Sequence, residues 1–173
     1  MVERDKVPIL SIVGFSGSGK TTYIVRLIPA LTSRGLKVAT IKHHHREFDL
    51  DKPGKDTWRH KQAGAAVTVI SSPARIGVVM DADHDHSPDE LAFFARGVDL
   101  ILTEGYKRGG YPKVEIFRPE ATENKKPFCL DDPALLALVS NEELDLKVPL
   151  FDFEDVAGVA ELIIKRFGFT PKR

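Results

Sequence analysis

The residues with the clearest chemical use lie early in the chain, in Gly14-Phe15-Ser16-Gly17-Ser18-Gly19-Lys20-Thr21-Thr22. Glycines at 14, 17 and 19 let successive backbone N–H groups turn inward around a phosphate. Lys20 brings a positive charge to the outer phosphates, and the Thr21 hydroxyl suits a coordination place on magnesium. This is Walker A spacing, so Gly14, Ser16, Gly17, Ser18, Gly19, Lys20, Thr21 and Thr22 are the expected nucleotide contacts. A glycine-rich turn without a ligand is the competing reading, and a strand before the loop with a helix after it weighs against that.

A magnesium ion held by a hydroxyl and phosphate oxygens needs an acidic anchor at the end of a neighbouring buried strand. In Asp99-Leu100-Ile101-Leu102-Thr103-Glu104-Gly105, Asp99 opens the run and falls at the far end, whereas Glu104 emerges at the carboxyl edge. Thr21 and Glu104 are therefore the candidate metal residues, and Lys20 and Glu104 the candidate catalytic pair. The alternative for Glu104 is a solvated turn carboxylate.

Other clusters carry weaker signals. In Lys42-His43-His44-His45-Arg46-Glu47-Phe48-Asp49-Leu50-Asp51, side chains on an extended chain alternate, so the three histidines do not form a ready metal site. A loop that contacts phosphate or a partner, a metal site using two histidines with Asp49 or Asp51, and a plain polar loop all stay open. Arg59 and its neighbours can add cations near an anion, while Trp58 reads equally well as a packing anchor. Asp81-Ala82-Asp83-His84-Asp85-His86 has ligand-type residues but lacks the glycine and distal glutamate of a calcium loop. Lys107-Arg108-Gly109-Gly110-Tyr111-Pro112-Lys113 reads either as a basic loop that grips a second anion or as solvated charge. The single cysteine, Cys129, sits in Pro127-Phe128-Cys129-Leu130 and reads as packing rather than as a nucleophile.

The elements that must position these residues alternate between strand and helix. Val7–Val13 is an apolar, β-branched run that ends at the glycine loop, as expected of a strand buried on both faces. Ile24, Leu27, Ile28 and Leu31 recur at helical spacing to about Arg34, with Pro29 expected to kink the helix. Val38–Ile41 is the next strand, and Asp56–Ala63 a helix. Runs at 66–70 and 75–80 flank Ser71-Ser72-Pro73-Ala74 as a hairpin. Ser87-Pro88-Asp89-Glu90 opens a helix to about Arg96. Strands follow at 99–105, 113–117, 135–140 and 148–151, the last an edge strand that tolerates Pro149. A closing helix spans about 154–167 with Val156, Val159, Ala160, Ile163 and Phe167 on its face, and Thr170–Arg173 reads as a frayed tail. The pattern gives an α/β, P-loop NTPase-type three-layer fold with a largely parallel central sheet and an added antiparallel portion, in one domain over 1–173.

With 25 basic and 25 acidic side chains in 173 residues, the chain has no global field that would attract nucleic acid or an anionic membrane. No apolar run reaches the roughly 18 residues of a membrane span. The charged Met1–Lys6 segment is unlike an export signal, so the expected compartment is the cytoplasm.

Several blocks taken in order resemble the MobB family of molybdopterin guanine dinucleotide biosynthesis. They are the Walker A run, Thr40-Ile41-Lys42-His43, Phe48-Asp49-Leu50-Asp51-Lys52-Pro53-Gly54-Lys55-Asp56-Thr57-Trp58-Arg59, Ala63-Gly64-Ala65, and Leu102-Thr103-Glu104-Gly105-Tyr106-Lys107. The resemblance covers roughly Ile9–Phe117. It implies a GTP- and Mg2+-binding homodimer with weak GTPase activity, an adaptor to the guanylyltransferase MobA, which joins GMP to molybdopterin. It also implies a site where guanine nucleotide and pterin meet, with His43, Asp49 and Lys107 as members. The guanine-reading Asn-Lys-x-Asp is absent, because Asn124-Lys125-Lys126-Pro127 ends in proline; Asn141, after the 135–140 strand, can reach a base by position.

Two other function classes use the same residues. One is a P-loop small-molecule kinase whose acceptor is held by Arg59, Lys107 and Lys113. The other is a GTP-driven metallochaperone that uses the histidine run, although no Cys-x-x-Cys exists.

Overall fold

The computed structural model describes residues 6–44, 46–123 and 125–170. His45, Asn124 and the two termini, 1–5 and 171–173, lie outside the described residues, and with them the expectations placed on His45, on the Asn124–Pro127 motif and on the tail. In chain order the elements are β1 (Ile9–Val13), α1 (Lys20–Thr32), β2 (Val38–Lys42), α2 (Asp56–Gln62), β3 (Val67–Ser71), β4 (Ile76–Met80), α3 (Pro88–Leu91), β5 (Leu100–Glu104), β6 (Lys113–Ile116), β7 (Leu135–Val139), β8 (Leu150–Phe151) and α4 (Val156–Phe167). Short 3-10 turns follow α3 at Ala92–Ala95 and β6 at Pro119–Ala121. The chain divides into two compact units, one made of residues up to His43 and from Pro88 onward, the other of His44–Ser87.

The first unit is built on a six-stranded sheet in the order β2-β5-β1-β6-β7-β8, with every neighbouring pair parallel. Alternation along each strand sorts side chains to two faces. Leu10 and Ile12 of β1, Leu100 and Leu102 of β5, and Val114 and Ile116 of β6 join one core with Tyr23, Leu27 and Leu31 of α1 and Val159 and Ile163 of α4. Ile9 and Ile101 take the other face, where Ala95 covers them. Burial on both faces is why these strands read as unbroken apolar runs. The second unit holds α2 and a separate antiparallel pair, with Val67 opposite Met80 and Ile70 opposite Gly77. The expected parallel sheet and the added hairpin are both present.

Boundaries shift where local sequence is ambiguous. Helix α1 stops at Thr32, two residues before the expected end, and runs through Pro29 as one element. The carbonyl that Pro29 leaves without a donor is that of Val25, a residue 63% exposed, so water can satisfy it. The helix expected over 87–96 is a four-residue α3 that tightens into a 3-10 turn. The proline-containing edge strand shortens to Leu150–Phe151.

Strand β6 carries two buried charges that its period placed against loops instead of the apolar core. Lys113 is 0% exposed, and its Nζ donates to the carbonyls of Lys107 (3.1 Å) and Gly109 (2.8 Å) and pairs with Asp132. It cannot hold a substrate, which corrects its assignment to a kinase acceptor site; the segment before it is tied down at 107 and 109 and is not a free basic loop. Glu115 accepts the N–H groups of Phe128 (2.6 Å) and Cys129 (2.8 Å), and burial raises its pKa.

Cys129 packs in a small cluster with Val13 and Leu135. Burial, and then the Glu115 carboxylate, push its thiol up to about 12. Because the folded pKa lies above the unfolded one, the thiol's contribution to stability is complete below pH ~8.5 and is lost as pH rises toward 12. Folded protein at pH 8 should therefore react with a thiol reagent at least roughly 10-fold more slowly than urea-unfolded protein. Equal rates would contradict the burial.

Candidate functional site

The carboxyl ends of β5, β1 and β6 lie side by side, and β1 stands between the two halves of the sheet, where open parallel sheets form a crevice. The loop after β1 turns at Gly14, whose φ is 140°. A Cβ there would lie 2.3 Å from the Ile116 carbonyl oxygen and 2.8 Å from Ser18 Oγ, so only glycine permits this turn against β6. Gly19, in left-handed conformation with φ 94°, caps α1 without any side-chain hydrogen bond, and no acidic residue occupies the first turn. The first amides of a 13-residue helix are thus left to an external acceptor. Ser18 Oγ is buried with no hydrogen-bond partner among the described residues. An orphaned hydroxyl beside uncapped helix amides fits a group rich in acceptor oxygens, as phosphate is.

Lys20 folds back over the loop, donating to the carbonyls of Gly14 at 3.1 Å and Phe15 at 2.7 Å. Burial lowers its pKa; Glu104 opposes that, and Lys107 and Lys42 add to it. The Thr21 hydroxyl donates to Glu104 Oε1 at 2.7 Å, across 83 residues of chain. Lys42 Nζ lies 3.3 Å from the same oxygen. The loop threonine and the strand-end carboxylate expected to share a metal ion are therefore in direct contact. Their two hard oxygens are spaced close to the ~2.9 Å edge of an octahedron with ~2.05 Å metal–oxygen bonds. Thr21 and Glu104 fit magnesium on that ground. Thr22, Ser16 and Gly17 are exposed around the loop.

His43 follows β2, and its N–H donates to the Glu104 carbonyl at 3.0 Å. Its ring lies 4.6 Å from that of Tyr106. Lys107 Nζ stands 4.7 Å from the centroid of Phe128 and 5.7 Å from that of Phe15, next to the loop. Lys42, His43 and Lys107 are thus brought to the same edge as Lys20.

Asp49 belongs to the second unit, where it is exposed. Within that unit Asp51 accepts the Thr57 hydroxyl at 2.9 Å, and His44 Nδ1 lies 2.8 Å from the Arg46 carbonyl. Among the described residues the group whose donor atoms converge is Asp83, His84 and His86, not the 43–51 histidine run with its aspartates.

Sequence reasoning missed Arg118. Its guanidinium lies over Phe153 at 4.3 Å, and a Cβ on Gly19 would be 3.8 Å from it. It is the second residue beyond β6, a strand adjacent to β1, and that strand-end position is the signal that could have found it. Beside it a cavity of about 600 Å³ runs from Ser16 and Gly17 of the loop to Asn141 and Phe153.

A family model described as MobB, molybdopterin guanine dinucleotide synthesis protein B, matches residues 9–141. The molybdopterin-guanine dinucleotide biosynthesis adapter protein of Escherichia coli is 36% identical over 170 residues, covering 95% of this chain and 96% of that relative. Its counterpart of the same description in Haemophilus influenzae is 37% identical over 162 residues, covering 92% and 89%. A crystal structure of molybdopterin-guanine biosynthesis protein B superposes with a TM-score of 0.71 at 31% identity, covering 91% of this chain and 99% of the other.

The Gly14 contact generates a test of the loop itself. Gly14→Ala should lower stability by roughly 2 kcal/mol in urea unfolding, because the loop or β6 must move to accept a methyl group. An unchanged midpoint would show that the turn is not confined by the Ile116 carbonyl.

Proposed function

The chain belongs to the MobB family, molybdopterin guanine dinucleotide synthesis protein B, and on that premise we propose that it is an adapter that binds GTP with magnesium and assists attachment of GMP to molybdopterin. The observation that carries the nucleotide reading is the loop between β1 and α1, with uncapped amides, an orphaned Ser18 hydroxyl and a lysine over its rim. Thr21 and Glu104 would hold the magnesium, which supplies positive charge between neighbouring phosphates.

Hydrolysis on this reading is weak. Glu104 is engaged by Thr21 and Lys42 and serves as an anchor rather than as a base for water. The product named by the family joins a guanine nucleotide to a pterin that carries phosphate, and Lys107, beside Phe15 and Phe128, offers a cation for that second anion. The partner on this reading is a MobA-type guanylyltransferase.

A homodimer has support in the second unit. Val67, Val69, Ile70, Ile76 and Met80 of the β3–β4 pair are 49–73% exposed, and a two-stranded sheet alone is marginal in water. A second copy that covers this hairpin would supply the missing burial. The kinase alternative is weakened by the structural commitment of Lys113.

Lys20→Ala should reduce GTP affinity by roughly 10- to 150-fold, the worth of a charge-assisted hydrogen bond, with the circular dichroism spectrum retained. Unchanged affinity in calorimetry removes the phosphate role. Glu104→Gln should weaken binding more in magnesium than in EDTA; equal losses take Glu104 out of the metal's surroundings.

A further inference from the structure

The cavity beside the loop gives this nucleotide reading a second half, on which the following inference rests. We propose that it is the nucleobase subsite, and that Asn141 and Glu142 select guanine in it. Its position is fixed by the same sheet as the phosphate loop: it opens from Ser16 and Gly17 and extends past Arg118 to the segment after β7. Because Ser16 and Gly17 line it, a nucleotide with its phosphates on α1 can place its base in this cavity. At about 600 Å³ the cavity lies within the usual range for small ligands. Arg118, over Phe153 and beside Gly19, joins the phosphate end to the base end.

The far wall carries the chemistry that distinguishes purines. Asn141 Oδ1 accepts the Phe153 N–H at 3.3 Å, which orients the amide and leaves its NH₂ as the donor. The Glu142 N–H donates to Ser140 Oγ at 3.1 Å, a turn that fixes the residue directly after Asn141. A donor followed by a carboxylate matches guanine, whose O6 accepts and whose N1–H and N2–H₂ donate. Adenine presents the reverse, an N6 donor and an N1 acceptor, so both wall groups would meet like against like. The guanine motif absent from the sequence is thus replaced by an Asn-Glu pair at the end of β7.

Calorimetry on the full chain with magnesium tests this using GTP, ATP and XTP, since xanthine carries a carbonyl where guanine carries its 2-amino group. The wild type should bind GTP at least 10-fold more tightly than ATP. Glu142→Gln should weaken GTP at least 10-fold and strengthen XTP, a gain that a misfolded protein cannot give. Equal wild-type affinities for GTP and ATP, or a variant with unaltered selectivity, would overturn the base assignment while leaving the phosphate seat intact. A switch produced by Glu120→Gln instead would overturn the choice of Glu142. Failure of every nucleotide to bind would take down this inference together with the reading beneath it.

Discussion

The site depends on the absence of a side chain at residue 14. Parallel pairing sets Val13 opposite Glu115, so the chain leaving β1 passes directly over the Ile116 carbonyl. Only a residue without Cβ can turn there at φ 140°. Once it has turned, the rest follows. The loop rises far enough for Gly19 to start α1, the helix points its first amides back at the loop, and Thr21 in its first turn comes within 2.7 Å of Glu104 on the other neighbour of β1. One steric allowance between two strands thus sets the helix start, the orphan amides and the contact with the carboxylate.

Beneath the site a second arrangement holds the surrounding loops. Lys113 and Glu115 project to one side of β6 and are both 0% exposed. Leaving either buried charge without partners would cost several kcal/mol, so the chain supplies carbonyls at 107 and 109, amides at 128 and 129, and Asp132. These bonds fix the backbone at Lys107 and Gly109 and at Phe128 and Cys129, and the Lys107 ammonium stands against the rings of Phe15 and Phe128. Lys113, which reads as a candidate ligand contact in the sequence, instead ties down the segment that carries Lys107.

What the sequence disclosed was whatever chemistry is local or follows from strand ends. The glycine loop, Lys20 and Thr21 are contiguous, and Glu104 is identifiable because a parallel sheet presents its functional groups at carboxyl ends. The same rule applied to β6 would have singled out Arg118, and applied to β7 it did single out Asn141. Burial of Lys113 was hidden because nothing next to it in the chain marks Asp132 as its partner, 19 residues away. The apolar hairpin was legible as a hairpin, yet its standing as a separate sheet depends on pairing that local propensity does not encode. The early end of α1 and the tightening of α3 reflect packing that overrides weak terminal preferences.

The proposed function requires the amides between β1 and α1 to hold a triphosphate. A crystal structure of the chain grown with magnesium and a non-hydrolysable GTP analogue tests it most directly. The phosphates should lie within hydrogen-bond distance of the backbone N–H groups of residues 17–21, with Lys20 Nζ moved from the Gly14 and Phe15 carbonyls onto them. An analogue seated elsewhere, with Lys20 still donating to those two carbonyls, would contradict it.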